Sequence, residues 1–212
     1  MTLGLYYLAI GDSLTVGVGA PWRYSFVNRY RWLTQQHFKK PVFLVNAGMK
    51  GARTIDVLAG LQSDPRIRHL VRNADIITIT AGGNDLLYAA EKFRFDRRIQ
   101  DFHDALVQCH LHYRQILITI ERIKAERPNR YIIRSVDLYN PIFQLPEADA
   151  IVRQFNHNIL ALQGPLFRVA DVFPLFKGKE RELLSFDRIH PNAWGYRLMA
   201  DQVYHLGYSP LF

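Results

Sequence analysis

Cysteine is almost absent from this 212-residue chain: Cys109 stands alone, so no internal disulfide can form. Long apolar runs are absent too. None approaches the ~18–20 residues that a membrane-spanning helix needs. The opening segment MTLGLYYLAI has neither a basic leader nor a cleavage site, so no signal peptide is expected unless a leader has been trimmed. No internal repeat, low-complexity tract or long linker divides the chain, and residues 1–212 read as a single domain. Acids are in deficit, with 19 Asp and Glu against 27 Lys and Arg and a net charge of +8. The cations are nevertheless scattered over Arg66–Arg72, Lys92–Arg98 and Arg122–Arg130, mostly with acids or apolar residues between them. That distribution reads as a solvated basic face rather than a nucleic-acid site. It leaves room for peripheral contact with an anionic lipid surface.

What is present is a 49% hydrophobic composition, enough for a full core. Short apolar or β-branched runs predict strands at Leu5–Ile10, Val42–Asn46, Asp75–Thr80, Tyr131–Ser135 and Arg168–Val172. Helical spacing links Trp22, Phe26, Tyr30, Leu33 and His37, and these aromatics, with Tyr24 and Trp32, are expected mostly in the core. From about Asp96 to Glu126 a second stripe steps by three and four through Ile99, Phe102, Leu106, Cys109, Tyr113, Ile116, Ile120 and Ile123. Further helices are predicted over Ala148–Leu162 and from Asn192 to about His205. Alternating β and α units imply a parallel sheet covered on both faces, with ligands gathering beyond the strands' carboxyl ends.

Polar motifs fall at those ends. IGDSLTVGVGA (10–20) follows the first strand, AGMKG (47–51) the second and AGGND (81–85) the third. Alone, the first turn could cradle a phosphate or hold up a reactive hydroxyl at Ser13. Near the other terminus stands Asp187-Arg188-Ile189-His190-Pro191. An Asp three residues before a His can fold back onto one imidazole nitrogen and leave the other free to accept a proton. Beside Ser13, that pair would supply a base and an orienting acid for a nucleophile. An oxyanion needs donors aimed at it. The candidates are the Ser13 N–H, the Gly48 N–H, where no Cβ obstructs approach, and the Asn84 side-chain amide. Asp12 and Asp85 are expected to hold their turns by hydrogen bonds to loop backbone. His103, His110 and His112 show no metal-ligand pattern and read as solvated or packed, and Cys109 as a buried, inert thiol. The apolar segment Asp137–Ala150 follows the fourth strand. Either it packs onto the sheet, or Ile142 and Phe143 line an acyl pocket, as a lid would.

Gly11-Asp12-Ser13-Leu14, Gly48, Gly82-Gly83-Asn84-Asp85 and Asp187-x-x-His190-Pro191 together resemble the four blocks of the SGNH, or GDSL, hydrolases. The longer run GDSLTVGVGA is similar to the spore-germination lipases of bacilli within that family. The resemblance covers almost the whole chain. It implies a three-layer α/β/α flavodoxin-like fold with a five-stranded parallel sheet. It also implies hydrolysis of carboxylic esters, lipid or medium-chain acyl esters foremost, with no metal or cofactor. Ser13, Asp187 and His190 would be catalytic, and Ser13, Gly48 and Asn84 would form the oxyanion hole. With no signal peptide read at the start, a cytoplasmic or spore-associated place of action is expected, and secretion only if a leader has been trimmed. Thioesterase action, or carbohydrate O-deacetylation or acyl transfer on the same fold, is the alternative within the enzyme class. A phosphate- or flavin-binding module without catalysis is the alternative outside it, and it leaves Asp187-x-x-His190 unexplained.

Overall fold

The computed structural model describes residues 4–212, so the first three residues of the segment read for a leader lie outside the described residues. In chain order the elements are β1 (Leu5–Gly11), α1 (Ser13–Val16), a 3-10 turn (Trp22–Tyr24), α2 (Phe26–Phe38), β2 (Val42–Gly48), α3 (Thr54–Ser63), α4 (Pro65–Asn73), β3 (Ile76–Thr80), α5 (Gly83–Asp96), α6 (Gln100–Ala125), β4 (Ile132–Val136), α7 (Pro146–Leu160), β5 (Phe167–Ala170), α8 (Phe173–Phe176), α9 (Glu180–Leu183) and α10 (Ala193–His205). The five strands form one sheet in the order β2-β1-β3-β4-β5, every pairing parallel. This is the three-layer architecture the sequence predicts.

Strand alternation sorts the core into two layers. Leu8 and Ile10 of β1 face a cluster with Ile77, Ile79, Ile133 and residues of α3 to α7. Tyr7 and Ala9 face the opposite side, where Phe26 and Tyr30 of α2 meet Tyr196, Met199 and Val203 of α10. The stripe of α6 is buried from Leu106 to Ile123. Each of its fully buried isoleucines contributes about 1.5–3 kcal/mol. No helix among the described residues is long and apolar enough to cross a membrane.

The differences from sequence expectation have local causes. Trp22 does not share a helix with Phe26, because Ser25 interrupts and caps α2 through its hydroxyl. Phe26 and Tyr30 are buried, but Trp22, Tyr24 and Trp32 are exposed, so three of the aromatics assigned to the core lie on the surface. The long helix starts at Gln100, since Asp96 ends α5 and Arg97 turns the chain with φ +55°. Ile99 is accordingly exposed. Helices α3 to α5 escaped the sequence reading: α3 and α4 are short, and the charged residues of α4 and α5 obscure the apolar period. On α4, Arg68 and Arg72 both pair with Glu126, past the end of α6.

The segment Asp137–Ala150 divides. Leu138, Tyr139 and Asn140 are buried, Ile142 and Phe143 are half-buried, and Leu145 is exposed just before α7. Tyr139 stacks on Phe176 with ring centroids 4.4 Å apart.

Candidate active site

Ser13 occupies the first position of α1, directly after β1. Asp12 caps that helix, accepting from the Leu14 N–H at 2.9 Å and from the Thr80 hydroxyl at 2.7 Å. Thr15 and Thr80 hydroxyls meet at 2.8 Å beneath the turn. Asp12 is fully enclosed; burial pushes its carboxyl up, against the opposing hydrogen bonds from Thr80 and Leu14. The expectation that Asp12 holds the turn is met, though its partners include a side chain from β3 as well as loop backbone.

The sheet carries Ser13 to the histidine loop. His190 Nε2 lies 2.8 Å from Ser13 Oγ, and His190 Nδ1 lies 2.6 Å from Asp187 Oδ2. Asp187 Oδ1 accepts from the Ser185 hydroxyl at 2.8 Å and from the Ile189 and His190 N–H groups, each at 2.9 Å. Partial burial opposes ionisation of Asp187, but the hydrogen bonds from His190, Ile189 and Ser185 outweigh it and hold the carboxyl well below the usual range. An ionised Asp187 can only accept, so the proton sits on Nδ1 and Nε2 presents a lone pair to the Ser13 hydroxyl. Arg188, at φ +56°, makes the turn that permits this fold-back. Tyr139 fixes the loop from the other side, its hydroxyl donating to the Ile189 carbonyl at 2.7 Å.

Asn84 stands at the start of α5. Its Nδ2 donates one hydrogen to the Ala52 carbonyl at 2.9 Å, and an amide nitrogen carries two. Gly82 precedes it with φ +111°, and a Cβ there would collide with the Phe155 ring. Asp85 accepts from the Thr54 N–H at 2.9 Å and from the Thr54 hydroxyl at 2.8 Å, bracing α5 against α3. The same hydroxyl meets His112 Nδ1 at 2.8 Å, so it accepts from an Nδ1–H while donating to Asp85. His112 is thus a packed strut. Cys109 is buried behind this array, and burial raises its thiol.

Gly48 departs from expectation. Its N–H is donated to Asn46 Oδ1 at 3.0 Å, which leaves it engaged rather than open to an oxyanion. Glycine is required there by packing: a Cβ would lie 2.8 Å from both Thr15 Cγ2 and Val16 N. Three residues on, Gly51 turns the chain at φ +77°, in open space, and its N–H has no acceptor among the described residues. It adjoins Ala52, the residue that tethers Asn84. The signal for Gly51 was in the sequence as the second glycine of AGMKG, but only the hydrogen bonding tells the two apart. Asn46 was also missed. Its side chain accepts from Gly48 and donates to the Thr15 carbonyl at 2.7 Å, joining the β2 loop to the nucleophile's helix. The structure brings Ser13, Asp187 and His190 into one chain of contacts. Ile142 and Phe143 stand three and four residues beyond Tyr139, which touches that loop.

Residues 9–198 match the model of the GDSL-like lipase/acylhydrolase family. The chain is 38% identical over 209 residues to the spore germination lipase LipC of Bacillus licheniformis, covering 98% of each. A crystal structure of the lipase Lip_vut3 from a goat rumen metagenome superposes with a TM-score of 0.93 at 38% identity, over 98% of this chain and 100% of that one. At 18% identity, an acetylxylan esterase of Geobacillus stearothermophilus shares the fold with a TM-score of 0.65, over 97% of this chain and 95% of that one. With a serine, an imidazole and a carboxylate in sequence, and these relatives along nearly its full length, the chain belongs to the GDSL-like lipase/acylhydrolase family and is a carboxylic ester hydrolase.

Proposed function

We propose that this hydrolase cleaves lipid or medium-chain acyl esters through an acyl-enzyme on Ser13. The observation that carries the proposal is the unbroken relay from Asp187 through His190 to Ser13, at 2.6 and 2.8 Å. Ser13 Oγ attacks the ester carbonyl as His190 Nε2 takes its proton. The same proton then passes to the departing alkoxide. Water next enters, gives its proton to Nε2 and attacks the acyl carbon, which releases the acid and restores Ser13. Asp187 orients the ring and stabilises the imidazolium. The oxyanion is met by the Ser13 N–H, by the second Asn84 amide hydrogen and, in place of Gly48, by the Gly51 N–H. Half-buried Ile142 and Phe143 offer apolar surface to the acyl chain. The lipase relatives support the lipid preference. The similarity to a spore germination lipase further supports a cytoplasmic or spore-associated place of action, which a fluorescent fusion followed through germination checks.

Labelling with a fluorophosphonate, together with turnover of a p-nitrophenyl ester series from acetyl to palmitoyl, tests this reading. Wild-type protein should label, Ser13→Ala should neither label nor turn over, and rates should peak above acetyl. Turnover by Ser13→Ala at the wild-type rate would refute the nucleophile. A peak at acetyl would refute the lipid preference and favour carbohydrate deacetylation.

A further inference from the structure

Three adjoining segments beside the catalytic pair carry large apolar side chains that the fold does not bury. Phe186 and Ile189 belong to the loop of Asp187 and His190; Phe186 is wholly exposed and Ile189 is 40% exposed. Trp194 opens α10, four residues after His190, and is 64% exposed. Trp22 and Tyr24 form the 3-10 turn and are 72% and 50% exposed. The segment leading into that turn is held against the histidine loop and α10: at Gly19 a Cβ would lie 2.9 Å from His190 Cβ, and the Tyr196 hydroxyl of α10 donates to the Val18 carbonyl at 2.6 Å. The presentation of Phe186 is rigid as well. Ser185 N–H donates to the His190 carbonyl at 2.8 Å and Arg188 N–H to the Ser185 carbonyl at 2.9 Å, which leaves Phe186 at the tip of a tight turn. A clustered aromatic rim on a monomeric surface marks a contact site.

Cations accompany the rim. Arg23 lies over the Tyr24 ring at 5.6 Å and Arg197 over the Trp194 ring at 5.5 Å, while Arg188 adjoins Phe186 by two residues. The acid within the loop, Asp187, is occupied by His190. Aromatic tips edged by guanidinium groups, on a chain of net charge +8, complement a negatively charged interface between headgroups and acyl chains. We infer that Trp22, Phe186 and Trp194, with Arg23, Arg188 and Arg197, form the face by which the enzyme docks on an anionic lipid bilayer, bringing Ser13 to the membrane surface. The purpose of this docking rests on the lipid-ester reading above, but the docking itself requires no turnover.

Cosedimentation of Ser13→Ala protein with large unilamellar vesicles tests it without consuming lipid. The protein should partition onto phosphatidylcholine–phosphatidylglycerol vesicles and not onto phosphatidylcholine alone, and added salt should release it. Adding Trp22→Ser and Phe186→Ser should weaken partitioning roughly tenfold or more. In the otherwise wild-type enzyme the same two substitutions should leave the rate on water-soluble p-nitrophenyl acetate unchanged. Equal partitioning with and without the two substitutions, or no preference for anionic vesicles, overturns the inference. So does a concentration-dependent dimer in sedimentation velocity that Phe186→Ser dissociates, since it assigns the rim to a second copy of this chain. Wild-type protein that docks in this manner without hydrolysing vesicle lipid upholds the inference and overturns the lipid-ester reading instead.

Discussion

Asn84 donates one amide hydrogen to Ala52, and in the proposed mechanism the other meets the oxyanion, so its loss should separate binding from rate. Asn84→Ala is expected to lower kcat by roughly 10²–10³ with KM little changed, as steady-state kinetics on a p-nitrophenyl ester would measure. An unchanged kcat would mean the free hydrogen points elsewhere. In the proposed mechanism Asp187 acts through His190, which it touches at 2.6 Å. Asp187→Asn puts a donor where Nδ1–H needs an acceptor, which favours the wrong imidazole tautomer. A fall in kcat of roughly 10⁴ is expected, with fluorophosphonate labelling slowed in step. Undiminished kcat in Asp187→Asn would remove the orienting role. Gly48 shows the limit of reading residues singly: glycine at a loop beside the nucleophile looks like an oxyanion donor, yet its amide is bound to Asn46 and its missing Cβ makes room for Thr15.

At the scale of elements, the junction between β3 and α5 positions Asn84. Gly82 adopts φ +111°, and a methyl group there meets the ring of Phe155, itself buried in α7. Gly82→Ala should therefore destabilise the fold by about 2–4 kcal/mol, from backbone strain and overpacking together. Because the shift displaces the start of α5, kcat should fall too. Thermal melting and kinetics below the melting point read the two effects separately. Native stability in this variant would show that α7 gives way without cost. The central strands β1, β3 and β4 were legible because burial on both faces leaves nearly continuous apolar runs, and the exposed edge strand β2 because its residues are apolar and β-branched all the same. Helix boundaries were less so. Arg97 in a left-handed conformation ends α5, and Ser25 starts α2 anew, and both are decided by local hydrogen bonding that apolar spacing does not record.

At the scale of the whole molecule, Asp137 couples stability to pH. It lies where β4 ends, and its Oδ1 accepts from the Val172 N–H at 2.7 Å, beyond the end of β5. Burial, reinforced by the neighbouring Asp171, outweighs that hydrogen bond and raises the carboxyl to about 8. In the unfolded chain an Asp ionises near ~3.9. Between those values the native state retains a proton that the unfolded chain has lost. Stability should decline as pH rises from about 4 to about 8 and level off above, by up to a few kcal/mol. Differential scanning calorimetry across that interval should show Tm falling, and Asp137→Asn should flatten the slope and raise Tm at the alkaline end. A wild-type Tm that climbs from pH 5 to 8, with Asp137→Asn merely parallel to it, would remove Asp137 as the cause.

The sequence by itself determined the sheet, most of the long helix and the class of chemistry, and it named the serine, histidine and aspartate that folding brings together, because apolar periodicity and four short motifs are local properties of the chain. Tertiary structure decided which glycine has a free amide, which aromatics stand outside the core, and how Tyr139 and Asn46 brace the two halves of the site. Those outcomes depend on partners far apart in the chain, and a hydrogen bond or a buried face exists only once folding has brought both sides together.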